Sequence, residues 1–145
     1  MSPRDLDAGI VLARLTSIRE LLHDLRLAGE VSKADLQRDR MLRHAVERIL
    51  AQLVELAVSV NSHVAATALG KAPGDYRESF ELLQAADILP PELTVRLRQS
   101  VGLRNVLAHE YARVDLNLVE GAVIAAERDY GGYVEHVSRW LQSRA

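Results

Sequence analysis

Apolar side chains recur along this chain at the spacing of one helix face. In residues 6–29, Val11, Leu15, Ile18, Leu22 and Leu25 follow one another at steps of four, three, four and three, and Gly29 closes the stripe. A second stripe, Leu42, Val46, Ile49, Leu53, Leu56 and Val60, runs through residues 31–70. Ser32 followed by Asp35 has the form of a capping box, in which a hydroxyl and a carboxylate each satisfy a free amide of the first turn. Gly70 and Pro73-Gly74 end the segment, so the pattern predicts one long helix of roughly 30 residues. That exceeds what a small bundle needs, and a dimer surface as well as a core element is expected of it. Residues 76–89 predict a short helix broken at Pro90-Pro91, and Pro91 suits the first position of the next helix, which runs toward residue 111. Asp115 reads as the N-cap of a last helix with Leu116, Val119, Val123, Ala126, Tyr130, Tyr133 and Val137 on its apolar side. Gly131-Gly132 is a weak point inside it, each glycine costing roughly 1 kcal/mol relative to alanine. No strand alternation, repeat or low-complexity segment stands out. The expectation is an all-α bundle of about five helices with short connections, one domain over residues 1–145.

Composition narrows the classes. With 145 residues, 48% of them hydrophobic, the chain can bury roughly two-thirds of its unfolded surface without staples. Aromatics are only 4%, so the core is expected to be aliphatic. There is no cysteine, which removes a disulfide framework, a thiolate nucleophile and a cysteine zinc site, and fits a cytoplasmic location. The first residues carry Asp5 and Asp7 and no long apolar run, unlike a signal peptide. No segment approaches the ~18 uninterrupted apolar residues of a membrane span, and no membrane association is expected. A formal net charge of −2 argues against a general nucleic-acid coat, which needs a positive surplus. A local basic patch stays open, since Arg96, Arg98, Arg104 and Arg113 cluster late in the chain.

The chemistry concentrates in RNVLAHEY, residues 104–111. On a helix turning about 100° per residue, Asn105 and His109 stack on one face, while Arg104 and His109 stand roughly 140° apart. A long arginine still converges with the imidazole on a ligand lying across the groove. Arginine offers a permanent fork for phosphate, and histidine moves protons near neutral pH. Asparagine can hold the imidazole or a ligand oxygen. Such a set can cleave RNA without metal, with His109 handling a proton and Arg104 stabilising the charged transition state. The same residues also suit a plain helix end, Arg and His complementing the dipole and Tyr111 packing its ring with a wet hydroxyl. Spacing alone favours that second reading.

The stretch resembles the R-x4-H-x-Y signature of the HepT family of ribonuclease toxins in the HEPN superfamily. Arg104, His109 and Tyr111 fit it, and Asn105 matches the polar residue that follows the arginine. DYRESFELLQAADILPPELTVRLRQSVGLRNVLAHEY, residues 75–111, and HAVERIL, residues 44–50, extend the likeness over roughly residues 1–140. The resemblance implies an all-α HEPN homodimer whose two motifs face each other across a cleft and make a composite, metal-independent RNase site. It implies a MntA-like nucleotidyltransferase antitoxin that moves AMP from ATP onto the motif tyrosine and silences the toxin. Carried over, Arg104 and His109 are catalytic, Asn105 supports them and Tyr111 is the adenylylated residue. Added phosphates there place negative charge and bulk where RNA must lie. In GKAPGDYRES this chain has Gly74-Asp75 where the family carries a small or serine-like residue, so its helix cap differs.

Other residues carry weaker signals. Arg113 and Arg98 are candidate RNA contacts, with Arg96 more simply a solvated charge. Tyr76 and Arg77 are expected to dock the short helix, a place at the cleft edge being the minority reading. His23, His44, His63 and His136 show no metal-ligand pairing, and no cofactor is called for. His63 near the end of the long helix is a weak candidate for a dimer cleft. Residues 38–48 hold four arginines and His44 and read as a solvated face. Two rivals stand beside the toxin: a noncatalytic HEPN-like module that partners a nucleotidyltransferase, and a plain bundle.

Overall fold

The computed structural model describes residues 5–109 and 114–144, and over these it is helical with no strand. Six α-helices follow in order: α1 Ala8–Ala28, α2 Lys33–Arg38, α3 Arg40–Val64, α4 Tyr76–Ala85, α5 Pro91–His109 and α6 Leu116–Ser143. The expected stripe of α1 is the buried one, Val11, Leu15, Ile18, Leu22 and Leu25. The capping box forms at Ser32 and Asp35 as the sequence predicts. It starts a helix of only six residues, however, and the long helix begins later. Asp39 (φ −116°, ψ 97°) ends α2 in extended backbone, and its carboxylate accepts the Leu42 amide to open α3. An aspartate that satisfies its own turn competes with continuation of the helix, and this adds the sixth element. Glu120 of α6 accepts the Lys33 amide, pinning α2 to the far side of the bundle.

Helix α3 runs on through a π-helical turn, Ala65–Leu69, where the Thr67 hydroxyl donates to the His63 carbonyl at 2.7 Å. Gly70 at φ 64° ends it in left-handed backbone, a conformation that glycine enters without steric penalty. The helix packs against all five other α-helices. The stretch Arg40–Leu69 is long and apolar enough to cross a membrane, yet half of its most apolar window is buried in the bundle, which is how a central core helix reads. Asp75 caps α4 through the Glu78 amide, so the Gly-Asp departure supplies its own cap. Pro91 opens α5 and Asp115 caps α6 as expected.

One continuous core draws buried residues from all six helices. It is aliphatic apart from Phe80, Tyr130 and Tyr133. Helix α6 passes unbroken through Gly131-Gly132 because the burial of Tyr130, Tyr133, Val134 and Val137 around them outweighs the propensity cost.

Candidate functional site

Helix α5 carries the site. Leu93, Leu97 and Val101 bury its inner face, which orients the last two turns outward. Asn105 and Arg104 are half-buried there, and His109 is the exposed final residue.

Arg104 is held from three sides. Its Nη2 forms an ion pair with Oε1 of Glu55 on α3. Its guanidinium lies over the ring of Tyr76, 5.0 Å from the centroid. Its Nη1 donates to Asn105 Oδ1 at 3.3 Å. The Tyr76 hydroxyl in turn donates to the other oxygen of Glu55 at 2.8 Å. That bond to a carboxylate holds the Tyr76 pKa above the usual tyrosine value, with desolvation adding to it. Among the described residues, Asn105 Oδ1 therefore meets the neighbouring guanidinium.

Two grooves flank Arg104, and it lines both. One, of about 740 Å³, lies among α1, α3 and α5 and is acidic: Glu20, Asp24, Glu47 and Glu55 oppose Arg48 and Arg104, a formal balance of 2 − 4 = −2 with His44 neutral. The other, of about 500 Å³ between α5 and α6, holds Arg96, Arg104 and Arg128 against Asp129, a balance of 3 − 1 = +2. Asp129 is buried, and it accepts from Arg96 Nε at 2.7 Å and from Arg128 Nε at 2.9 Å. By formal charge the described lining of the first groove is net negative and that of the second net positive.

The structure does not gather every candidate. Arg98 lines neither groove; its Nε stands 3.1 Å from Glu81 of α4 in an ion pair, with the N–H turned so that it makes no hydrogen bond. Tyr111 and Arg113 lie outside the described residues. His63 is taken up within the protomer, its Nε2 accepting the Asp7 amide at 2.9 Å. Among the described residues no group of His, Asp and Glu is placed to hold a metal ion. Glu55 escaped sequence reasoning; its only signal was a lone acid in the apolar run LVELAVSV.

The Ribonuclease HepT-like family profile matches residues 13–137. The chain belongs to that family of ribonucleases. Among HepT-like relatives it is similar to the tRNA nuclease HepT of Aphanizomenon flos-aquae, 30% identical over 138 residues, 94% of this chain and 93% of that protein. It is also similar to the mRNA nuclease HepT of Shewanella oneidensis, 23% identical over 127 residues, 87% of this chain and 94% of that one. In three dimensions it matches the tri-AMPylated HEPN toxin of Shewanella oneidensis, solved in complex with its MNT antitoxin. The TM-score is 0.83 at 20% identity, over 92% of this chain and 99% of the other. That likeness makes this HepT-like bundle a HEPN fold.

Proposed function

We propose that this chain is the toxin of a toxin–antitoxin pair, a metal-independent endoribonuclease whose site is completed by a second copy and silenced by AMP transfer to Tyr111. The MntA-like nucleotidyltransferase is the antitoxin. The observation that carries the reading is Arg104 held on the ridge between two grooves, one helical segment before an exposed His109, in a chain whose family is one of ribonucleases. Arg104 meets the phosphate and stabilises charge on its equatorial oxygens as the 2′-oxygen attacks phosphorus. One His109 takes the 2′-hydroxyl proton, and the His109 of a second copy returns a proton to the leaving 5′-oxygen. The P–O5′ bond breaks, leaving a 2′,3′-cyclic phosphate and a 5′-hydroxyl.

The test is intact mass and RNA cleavage on the purified protein, with and without ATP and a MntA-like nucleotidyltransferase, with Tyr111→Phe alongside. The expected result is mass gained in AMP steps only when Tyr111 is present, together with loss of cleavage. A folded dimer that neither cleaves RNA nor gains mass returns the chain to a binding module.

A further inference from the structure

The Arg104 contacts extend inward along a chain of bonds that the reaction itself does not use. Tyr76 is the first residue of α4, and its backbone carbonyl accepts from the Ser79 hydroxyl at 2.7 Å. Ser79 Oγ accepts from Asn61 Nδ2 at 3.1 Å, and Asn61 Oδ1 accepts from the Tyr133 hydroxyl at 2.6 Å. Asn61 and Ser79 are fully buried. The ring on which Arg104 rests is therefore tied through α4 to α3 and α6, and Glu55 bridges that ring's hydroxyl to the guanidinium with one oxygen for each.

We propose that Glu55 and Tyr76 are positioning residues for Arg104, a brace that sets the guanidinium plane before RNA arrives; the proposal rests on the reading of Arg104 as catalytic. The alternative within the same geometry is that Glu55 masks the arginine and competes with phosphate for it. Three features favour the brace. A guanidinium carries five N–H donors in a rigid fork, and the Glu55 contact is made through Nη2. The Tyr76 ring lies under the guanidinium carbon, a contact with the delocalised charge that takes up no N–H donor. The Tyr76 hydroxyl divides the carboxylate's charge by hydrogen bonding to the oxygen that Arg104 does not use. Pre-ordering removes the entropy cost of fixing a long side chain at the moment of reaction, and small misplacement of such a group costs up to roughly a hundredfold in rate.

The experiment is single-turnover cleavage of a bulk tRNA preparation and of an unstructured mRNA fragment, with binding measured on 2′-O-methyl RNA, which lacks the attacking hydroxyl. The variants are Glu55→Ala, Glu55→Gln, Tyr76→Leu, Tyr76→Phe and Arg104→Ala, plus Glu55→Ala in the Arg104→Ala background. The expected result is a loss of the cleavage rate of roughly tenfold to a hundredfold for Glu55→Ala and Tyr76→Leu. Binding of the methylated RNA stays within about twofold, and the melting temperature falls no further than it does for Arg104→Ala. Tyr76→Phe, which keeps the ring, and Glu55→Gln, which keeps an acceptor, recover part of the rate. Glu55→Ala adds no further loss once Arg104 is gone. If Arg104→Ala abolishes cleavage while the Glu55 and Tyr76 variants cleave like the parent, or Glu55→Ala cleaves faster, the brace is overturned and the catalytic reading stands. If Arg104→Ala itself cleaves normally, the catalytic reading fails and takes the brace with it. Should Glu55→Ala lose its fold, Glu55→Gln and Tyr76→Phe decide.

Discussion

Tyr133 on α6 places its hydroxyl 2.6 Å from Asn61 Oδ1 on α3, with the Ala57 carbonyl sharing the proton at 3.0 Å. Both residues are buried, and the Tyr133 ring meets Phe80 edge to face at 6.0 Å. Tyr133→Phe keeps that packing and removes the one proton that the described residues aim at Asn61 Oδ1. A buried amide oxygen left without its donor costs roughly 1–3 kcal/mol. Urea unfolding followed by far-UV circular dichroism should show a lower midpoint with an unchanged slope, and an unchanged midpoint would mean that water or a shifted side chain replaces the bond.

Catalysis and stability should separate at the end of α5. His109 is exposed, so His109→Ala is expected to leave unfolding free energy within about 0.5 kcal/mol while slowing RNA cleavage by roughly a hundredfold or more. Arg104→Ala should abolish cleavage similarly and also lower stability modestly, because it strips Glu55 and Tyr76 of their shared partner. Growth arrest on expression provides the cellular counterpart, expected for the parent and absent for both variants. Arrest that persists with both substitutions would place toxicity outside this site.

Asp129 offers a contrast between buried and exposed pairs. Its side chain is 10% exposed and serves Arg96 and Arg128 together. Asp129→Asn leaves two guanidinium groups facing an amide, at a cost of roughly 1–3 kcal/mol. Glu135, 67% exposed, pairs with Arg139 on the surface of α6, where Glu135→Gln should change stability by less than about 0.5 kcal/mol. Thermal melts of the two variants at low and moderate salt decide it: equal losses would mean that the first pair is as well solvated as the second.

Alkaline conditions should destabilise the fold. Burial raises the pKa of Tyr130 and of Tyr133, and the Glu55 bond raises that of Tyr76. With folded values above unfolded ones, the contribution is fully present below the ordinary tyrosine value of about 10. Above that value the unfolded chain has released protons that the folded chain retains, so unfolding free energy falls as pH rises. The tyrosinate absorbance of Tyr130 and Tyr133 should therefore appear with unfolding rather than ahead of it. Ionisation of Tyr130 and Tyr133 in a chain that keeps its far-UV spectrum would contradict their burial.

Local chemistry explains what could be read in advance. The α1 stripe, the capping box at Ser32, the start of α5 at Pro91, the cap at Asp115 and the end at Gly70 each depend on residues within a turn of one another. The break at Asp39 was missed because the apolar period continues on either side, and the competing interaction is a single side-chain bond to Leu42.

Arg104, Asn105 and His109 were visible as a pattern because they share one short stretch of one helix. Their surroundings were not. Glu55 lies on another helix, and Tyr76 opens a third. Their approach to Arg104 is set by how α3, α4 and α5 pack, which no local spacing encodes. The two grooves of opposite charge arise in the same way, from acids and arginines scattered over α1, α3, α5 and α6. The sequence by itself determined which helix would carry the chemistry, because helical periodicity and capping act over a few residues. Only the tertiary structure decided what holds the arginine and how charge divides between the grooves beside it, because those are contacts between residues dozens of positions apart.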